Sequence, residues 1–158
     1  MIKITLVVVG KNKYDWITQG VKHYQRLLKK YQVDLSFKVV KDERINEKKE
    51  KELILDKESE RIFKYLNQDS YRVVLDFSGK ILSSEELANL LSDKLNSGKS
   101  EVVFVIGGPL GLSEKIVKNC QFKLSLSRMT FTHQLTRLIV SEQIFRAFSI
   151  IRGDRYHK

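Results

Sequence analysis

The 158-residue sequence has little cysteine, proline or histidine, and each shortage excludes a class of protein. Cys120 is the only cysteine, so no disulfide can form within the chain and no oxidising compartment is needed. One cysteine and three scattered histidines do not make a credible metal site, and we predict none. A single proline among 42% apolar and 30% charged residues is typical of a folded globule rather than a disordered segment.

Long apolar runs are also missing. The apolar stretch within residues 1–10 is far shorter than the roughly 20 residues that a bilayer span needs, and no small-residue cleavage site accompanies it. We therefore expect neither secretion nor membrane insertion, and we predict a cytoplasmic protein. The length predicts one domain, residues 1–158, with a single core.

Positive charge is in excess and is concentrated towards the two ends of the sequence. The net charge is +10. Residues 1–68 carry 16 basic and 10 acidic side chains, residues 69–126 carry seven of each, and residues 127–158 carry six and two. Polyanions such as nucleic acids bind to regions of this kind, because Lys and Arg side chains displace the counterions that surround their phosphates. The asymmetry favours a polyanionic partner, although a merely soluble basic protein would have a similar composition.

Apolar periodicity predicts five strands that alternate with five helices. The strands are expected over residues 2–9, 33–40, 71–77, 101–106 and 122–126. The helices are expected over residues 14–31, 46–66, 83–96, 113–119 and 132–151. The second helix is highly charged, with Glu47 and Lys51 spaced as an i,i+4 pair, and is predicted to be mostly solvated. Because parallel neighbours need long crossovers, the pattern predicts an α/β fold with a mainly parallel sheet and helices on both faces.

Two loops after predicted strands are candidates for ligand binding. The first is GGPLG at residues 107–111, and the second is SRMTFTHQ at residues 127–134. Ligands of open α/β sheets bind at the carboxyl ends of the strands, so both loops should open at one edge. A tight turn would need the same glycines, and Thr130 or Thr132 could simply cap the last helix. A dinucleotide site is disfavoured because no Asp or Glu occurs between Glu114 and Glu142.

The C-terminal region has two further features. The last helix carries two apolar stripes, which favours a homodimer in which a second subunit covers one of them. One stripe comprises Leu138, Phe145 and Phe148, and the other comprises Val140, Ile144, Ala147 and Ile151. The tail RGDRYHK, residues 152–158, has a composition that suits a phosphate backbone and a stacked base, although most termini fray.

Five segments together resemble a known family, the ribosomal RNA large-subunit methyltransferase H family of SPOUT enzymes. They are KITLVVVGK (3–11), LDFSGKILSSEELA (75–88), FVIGGPLGL (104–112), LSLSRMTFTHQLTRLIVSEQIFRA (124–147) and RGDRYHK (152–158). The resemblance covers essentially the whole chain. It implies a C-terminal trefoil knot, a homodimer, and S-adenosylmethionine as the methyl donor. By position, the resemblance implies that the cofactor contacts are Leu75, Gly107, Leu126, Ser127, Arg128, Met129, Thr130 and Phe131.

The reaction that the resemblance implies is methylation of N3 of a pseudouridine in 23S ribosomal RNA. Candidate bases or orienting groups are His133, Tyr156 and His157, while Arg152 and Arg155 are candidates for gripping phosphates or stabilising a developing anion. The tail of one subunit is expected to approach the cofactor of the other.

The sequence departs from the family pattern at two loop positions. Thr132 stands where proline usually follows the phenylalanine, and Pro109 replaces a small polar residue of the glycine turn. The first change puts the rigidity of its turn in question, and the second could stiffen the glycine turn.

Two other functions fit the same residues. A non-catalytic factor could bind ribosomes through its basic ends, and a SPOUT methyltransferase could act on tRNA instead. We expect no appended RNA-binding domain, so recognition would come from a dimer surface or from the shape of a large substrate. By analogy, this favours large-subunit ribosomal RNA within the ribosome as the partner.

Overall fold

A parallel five-stranded sheet forms the centre of the computed structural model, which describes residues 1–46, 48 and 50–158. The strand order is β2-β1-β4-β3-β5, and every adjacent pair is parallel. The predicted α/β fold with a parallel sheet is therefore confirmed. The strands are β1 (Ile2–Val9), β2 (Val33–Val40), β3 (Tyr71–Ile81), β4 (Glu101–Ile106) and β5 (Phe122–Ser125).

Helices cover both faces of this sheet. Within the described residues they are α1 (Asp15–Leu28), α2 (Lys51–Phe63), α3 (Ser84–Asn96), α4 (Glu114–Asn119) and α5 (His133–Ile151). Buried side chains of α1, α3 and α5 pack against one face, and those of α2 and α4 pack against the other. Because β1 and β4 lie inside the sheet, their side chains are buried on both faces, which explains their continuous apolar runs.

The predicted helix starts are confirmed by side-chain caps. Ser83 and Glu86 form a reciprocal capping box at α3. The Ser113 hydroxyl accepts from the Ile116 amide at the start of α4. Thr132 caps α5, its Oγ1 accepting from the Leu135 amide at 3.2 Å. A side-chain cap therefore occupies the place where the family usually has a proline.

Two predicted helices have different bounds in the structure. The first predicted helix is split, since α1 ends at Leu28 and a 3-10 turn follows over Lys29–Tyr31. The second begins at Lys51 rather than at residue 46, and Glu47, the partner expected for Lys51, lies outside the described residues. This helix is also less solvated than expected, because its own side chains Ile54 and Ile62 are buried.

Strand β3 is longer than the predicted strand over residues 71–77 because it contains a bulge. Leu75 and Lys80 both pair with Leu124, so residues 76–79 leave the ladder before the strand resumes. Gly79 makes this geometry possible, because a Cβ at this position would lie 2.7 Å from the Lys123 carbonyl carbon and oxygen. The bulge places residues 76–79 at the carboxyl edge of the sheet.

Helix α5 lies between α1 and α3, and this packing corrects one prediction. Val140, Ile144 and Ala147 of one stripe and Phe145 and Phe148 of the other are buried within a single chain, whereas Leu138 is half-buried and Ile151 at the end of the helix is 36% exposed. The two apolar stripes therefore do not require a second subunit. The homodimer and the knot remain predictions from the family resemblance.

Candidate functional site

An open cleft of about 650 Å³ lies at the carboxyl edge of the sheet. It is bordered by the ends of β3, β4 and β5, by the residues that follow β1, and by the first turn of α5. The glycine loop and the SRMTFTHQ loop lie on the same cleft, as their places after two strands predict. The residues that border it are Lys13, Tyr14, Trp16, 75–77, 106–109, 111, 112, 124–127 and 129–136.

The glycine loop, residues 107–111, is compact because its own backbone folds closely on itself. A Cβ at Gly107 would lie 2.7 Å from the Gly111 carbonyl oxygen, so only glycine fits there. Gly111 has a φ of +81°, and its amide donates to the Gly108 carbonyl at 3.0 Å. The backbone therefore forms one wall of the cleft.

The opposite wall is formed by Ser125 and Leu126 together with the SRMTFTHQ loop, and hydroxyls of this segment hold it in place. The Ser125 hydroxyl donates to the Ser127 carbonyl at 3.0 Å, and the Met129 amide donates to the Ser127 hydroxyl at 2.9 Å. Seven of the eight predicted cofactor contacts border the cleft, namely Leu75, Gly107, Leu126, Ser127, Met129, Thr130 and Phe131. The eighth, Arg128, is exposed and does not border it.

His133 is the only one of the five predicted catalytic residues that borders the cleft within one chain. It is half-buried at the first position of α5. Burial lowers the pKa of His133, and the nearby positive charges of Arg137 and Lys13 lower it further. The imidazole is therefore neutral at pH 7 and has one nitrogen available to accept a proton.

Arg137 connects this turn of α5 to the end of β1. It is fully buried, and its Nη2 and Nη1 donate to the Val9 carbonyl at 2.7 Å and to Asn12 Oδ1 at 2.9 Å. Gln134 adds two bonds, accepting from the Lys13 amide at 3.0 Å and donating to the Lys11 carbonyl at 3.1 Å. Burial lowers the pKa of Arg137 to about 10. The β1–α1 loop is thus fixed against the helix that carries His133.

The sequence reasoning did not include Lys13, Tyr14 and Trp16 among the site residues. They border the cleft because β1 lies beside β4, so the loop after β1 opens next to the glycine loop. The signal available in the sequence was a pair of large aromatic residues in the short loop and first helical turn after a strand followed by a glycine. Phe77 on the β3 bulge was missed for a similar reason, since the bulge itself was not predicted.

The C-terminal tail packs on its own chain at a distance from the cleft. The Tyr156 ring packs edge-on against Phe145 at 4.7 Å, and its hydroxyl donates to Glu142 Oε1 at 3.1 Å. His157 accepts from Arg146 at 3.2 Å through Nδ1 and donates to Glu85 at 2.6 Å through Nε2. These two residues, and the exposed Arg152 and Arg155, do not border the cleft of their own chain.

The fold and this cleft define an α/β protein with a candidate ligand site between two loops at the carboxyl edge of a parallel sheet. A family model described as "Predicted SPOUT methyltransferase" matches residues 2–157. The chain belongs to the SPOUT methyltransferase family.

Full-length relatives extend this assignment. A protein from Methanococcus vannielii is 48% identical over 99% of this chain and all of its own length. Proteins named ribosomal RNA large subunit methyltransferase H from Carboxydothermus hydrogenoformans and Bacillus pumilus are 45% and 42% identical over the same shares. These relatives confirm the resemblance noted from the sequence motifs.

One solved structure supports the fold alone. A methylase-family protein from Haemophilus influenzae superimposes with a TM-score of 0.51 at 16% identity, covering 99% of this chain and 70% of its own. Within the described part of the chain, no helix is long and apolar enough to cross a membrane. Across those same residues, no three His, Cys, Asp or Glu side chains come together as a metal-binding group.

Proposed function

We propose that this protein is an S-adenosylmethionine-dependent methyltransferase that acts on N3 of a pseudouridine in 23S ribosomal RNA. The observation that supports the proposal is the single cleft that the glycine loop and the SRMTFTHQ loop form together. The names of the full-length relatives supply the substrate class, large-subunit ribosomal RNA. We further propose a cytoplasmic homodimer with the knotted C-terminal topology of the family.

The cleft is suited to the methyl donor in size and chemistry. Its volume of about 650 Å³ lies within the roughly 300 to 1,000 Å³ that is usual for sites of small molecules and cofactors. Leu75, Leu126 and Phe131 offer apolar surface to the adenine, and backbone groups of the two loops offer hydrogen bonds to its polar atoms. The absence of a Cβ at Gly107 leaves space against the backbone. When bound, S-adenosylmethionine would supply an electrophilic methyl group on a sulfonium sulfur.

His133 is best suited to take the proton that leaves N3. Its pKa is lowered, so the free base predominates at neutral pH, as a general base requires. Tyr156 is suited to a different task, because burial and its hydrogen bonds raise the pKa of its phenol to about 12. A phenol that stays protonated can orient a base edge by donating a hydrogen bond, but it is a poor proton acceptor at neutral pH.

The tail residues would act on the cleft of a second subunit. Arg152 and Arg155 have exposed side chains at the C-terminal end of α5, where they can bind phosphates of the RNA. His157 and Tyr156 are held on the surface of their own chain, so only another copy could receive them at its cleft. This arrangement would join the cofactor and the RNA-binding tail in one composite site.

The proposal is tested by incubating the purified protein and labelled S-adenosylmethionine with large ribosomal subunits and total tRNA, both taken from a strain that lacks the protein. We expect one methyl group on one nucleotide of 23S ribosomal RNA, located by mass mapping. Calorimetry with S-adenosylmethionine and with its demethylated product provides the binding control. A non-catalytic ribosome-binding factor predicts no binding of either compound, and a tRNA methyltransferase predicts label in tRNA alone. Either result would contradict the proposal.

A further inference from the structure

Two aromatic rings stand exposed and stacked at the mouth of the cleft. Tyr14 and Trp16 are 50% and 55% exposed, and their ring centroids lie 5.5 Å apart with an interplanar angle of 24°. Both rings border the cleft. Phe77, which is 66% exposed, lies on the β3 bulge that borders the same cleft.

The fold does not account for these rings at these positions. Tyr14 occupies the N-cap of α1 and makes no side-chain cap bond there, although Ser, Thr, Asp or Asn would stabilise the helix. Helix α1 is held to the core by other side chains, including the buried Ile17 and Val21. Adjacent exposed aromatic rings that no described element covers are typical of a binding site.

The surroundings of the rings indicate the chemistry of the ligand. Lys11 and Lys13 are exposed directly before them, the exposed Asp15 lies between the two aromatic residues, and the net charge of the chain is +10. Lys13 itself borders the cleft, as does Asp76 on the far side. An aromatic ring pair beside lysines suits a nucleotide, because the rings stack on its base and the lysines attract its phosphate. A purely apolar partner would gain nothing from the lysines.

The platform is also fixed in position before any ligand arrives. Gln134 holds the Lys13 amide and the Lys11 carbonyl, and the buried Arg137 holds the end of β1. Gln134 and Arg137 lie on the turn of α5 that begins with His133. The backbone directly before the stacked rings therefore has a fixed location relative to the residue that we propose as the base. Preorganisation of this kind lowers the entropic cost of binding.

We propose that Tyr14 and Trp16 form a stacking platform for an unpaired nucleotide of the RNA substrate. The proposal rests on the function proposed above and specifies how the substrate strand meets the cleft. Single-stranded RNA is commonly recognised in this way, by stacking of splayed bases on aromatic side chains. The pair thus contributes to substrate binding rather than to the methyl transfer step.

Trp16 is the only tryptophan in the chain, so its fluorescence reports on this platform alone. A short oligouridylate titrated into the wild-type protein should quench that fluorescence. Replacement of Trp16 by Ala should raise KM for large ribosomal subunits by about 5- to 150-fold, the range expected for the loss of one stacked base. In Trp16→Ala, kcat and the calorimetric affinity for S-adenosylmethionine should change little. Trp16→Phe should have a KM close to that of the wild type.

The matched control is Tyr65→Ala, which removes a 41% exposed ring that does not border the cleft, and KM should not change. Light scattering on each variant gives its oligomeric state. If Trp16→Ala separates a dimer, the rings are a protein contact and the proposal is overturned. If the wild type methylates ribosomal RNA but Trp16→Ala keeps the wild-type KM, the platform alone is refuted. If the wild type transfers no methyl group, the proposed function fails, whereas absence of quenching by oligouridylate overturns the platform.

Discussion

Replacement of Gly107 by Ala tests whether the glycine loop forms a wall of the cofactor site. A Cβ at this position would lie 2.7 Å from the Gly111 carbonyl oxygen and 2.8 Å from its carbonyl carbon. These are backbone atoms, so no side chain can rotate away to make room. Ordinary van der Waals contact begins at 3.4 Å. The backbone at residue 107 and the backbone at Gly111 must therefore move apart by about 0.7 Å, the difference between 3.4 and 2.7 Å.

This displacement should affect ligand binding more than folding. Overpacking of this kind costs about 1 to 3 kcal/mol of stability. At about 2 to 4 °C per kcal/mol for a chain of this size, Tm should fall by roughly 2 to 12 °C. The movement occurs at the cleft itself, and misplacement of site groups by about 1 Å can reduce activity by about 100-fold. We therefore expect the Kd for S-adenosylmethionine to rise more than about tenfold.

Gly98→Ala provides the control for stability. Gly98 has a φ of +87°, and a Cβ there would have no neighbour within 4 Å, so the cost is one of backbone conformation, about 1 to 2 kcal/mol. The Tm of this control should fall by a similar amount, but its affinity for S-adenosylmethionine should equal that of the wild type. Calorimetry measures the affinity of both variants. If Gly107→Ala binds the donor with wild-type affinity, the glycine loop does not contact it and our assignment of the cleft is wrong.

Two further predictions concern the groups proposed to handle the proton and the RNA. Because the pKa of His133 is lowered, kcat/KM should be constant near neutral pH and should fall only below pH 6.5 or so, about the usual pKa of an imidazole. This fall of kcat/KM at acidic pH should be absent in His133→Asn. An unchanged fall in the variant would assign the titration to another group. Deletion of residues 156–158 should abolish methylation of large ribosomal subunits while calorimetry still detects S-adenosylmethionine binding, and full turnover by the truncated protein would remove the tail from the mechanism.

The two loops of the cleft could be predicted from the sequence because each follows a strand that the apolar pattern defines clearly. Parallel strands bring their carboxyl ends to one edge, so GGPLG and SRMTFTHQ had to open on the same side of the sheet. The caps at Ser83 and Ser113 could be predicted for a similar reason, as could Thr132 as one of two candidates with Thr130, since a cap depends on local sequence alone.

The features that were missed depend on long-range packing. Trp16 and Tyr14 belong to the cleft only because β1 lies beside β4, and strand order is not encoded in local periodicity. The β3 bulge arises from the close approach of Gly79 to Lys123, more than 40 positions along the chain. The two stripes of α5 were explained incorrectly because α1 and α3 pack on both of its sides within one chain.

The separation of the tail from the cleft has a physical reason that bears on assembly. Asp154 Oδ2 accepts from Lys30 at 2.7 Å and from Tyr31 at 2.6 Å, and these bonds lower the pKa of Asp154 to about 2. The carboxylate therefore stays ionised, and its bonds to Lys30 and Tyr31 hold the tail in place, until the pH falls towards that value. Ordering a free tail would cost about 1 to 2 kcal/mol per residue in backbone entropy, whereas a tail already fixed on its own subunit avoids most of this cost when it meets a second copy. On our proposal, contacts within one chain set the direction of the tail, and the association of two copies brings it to the cleft of the partner.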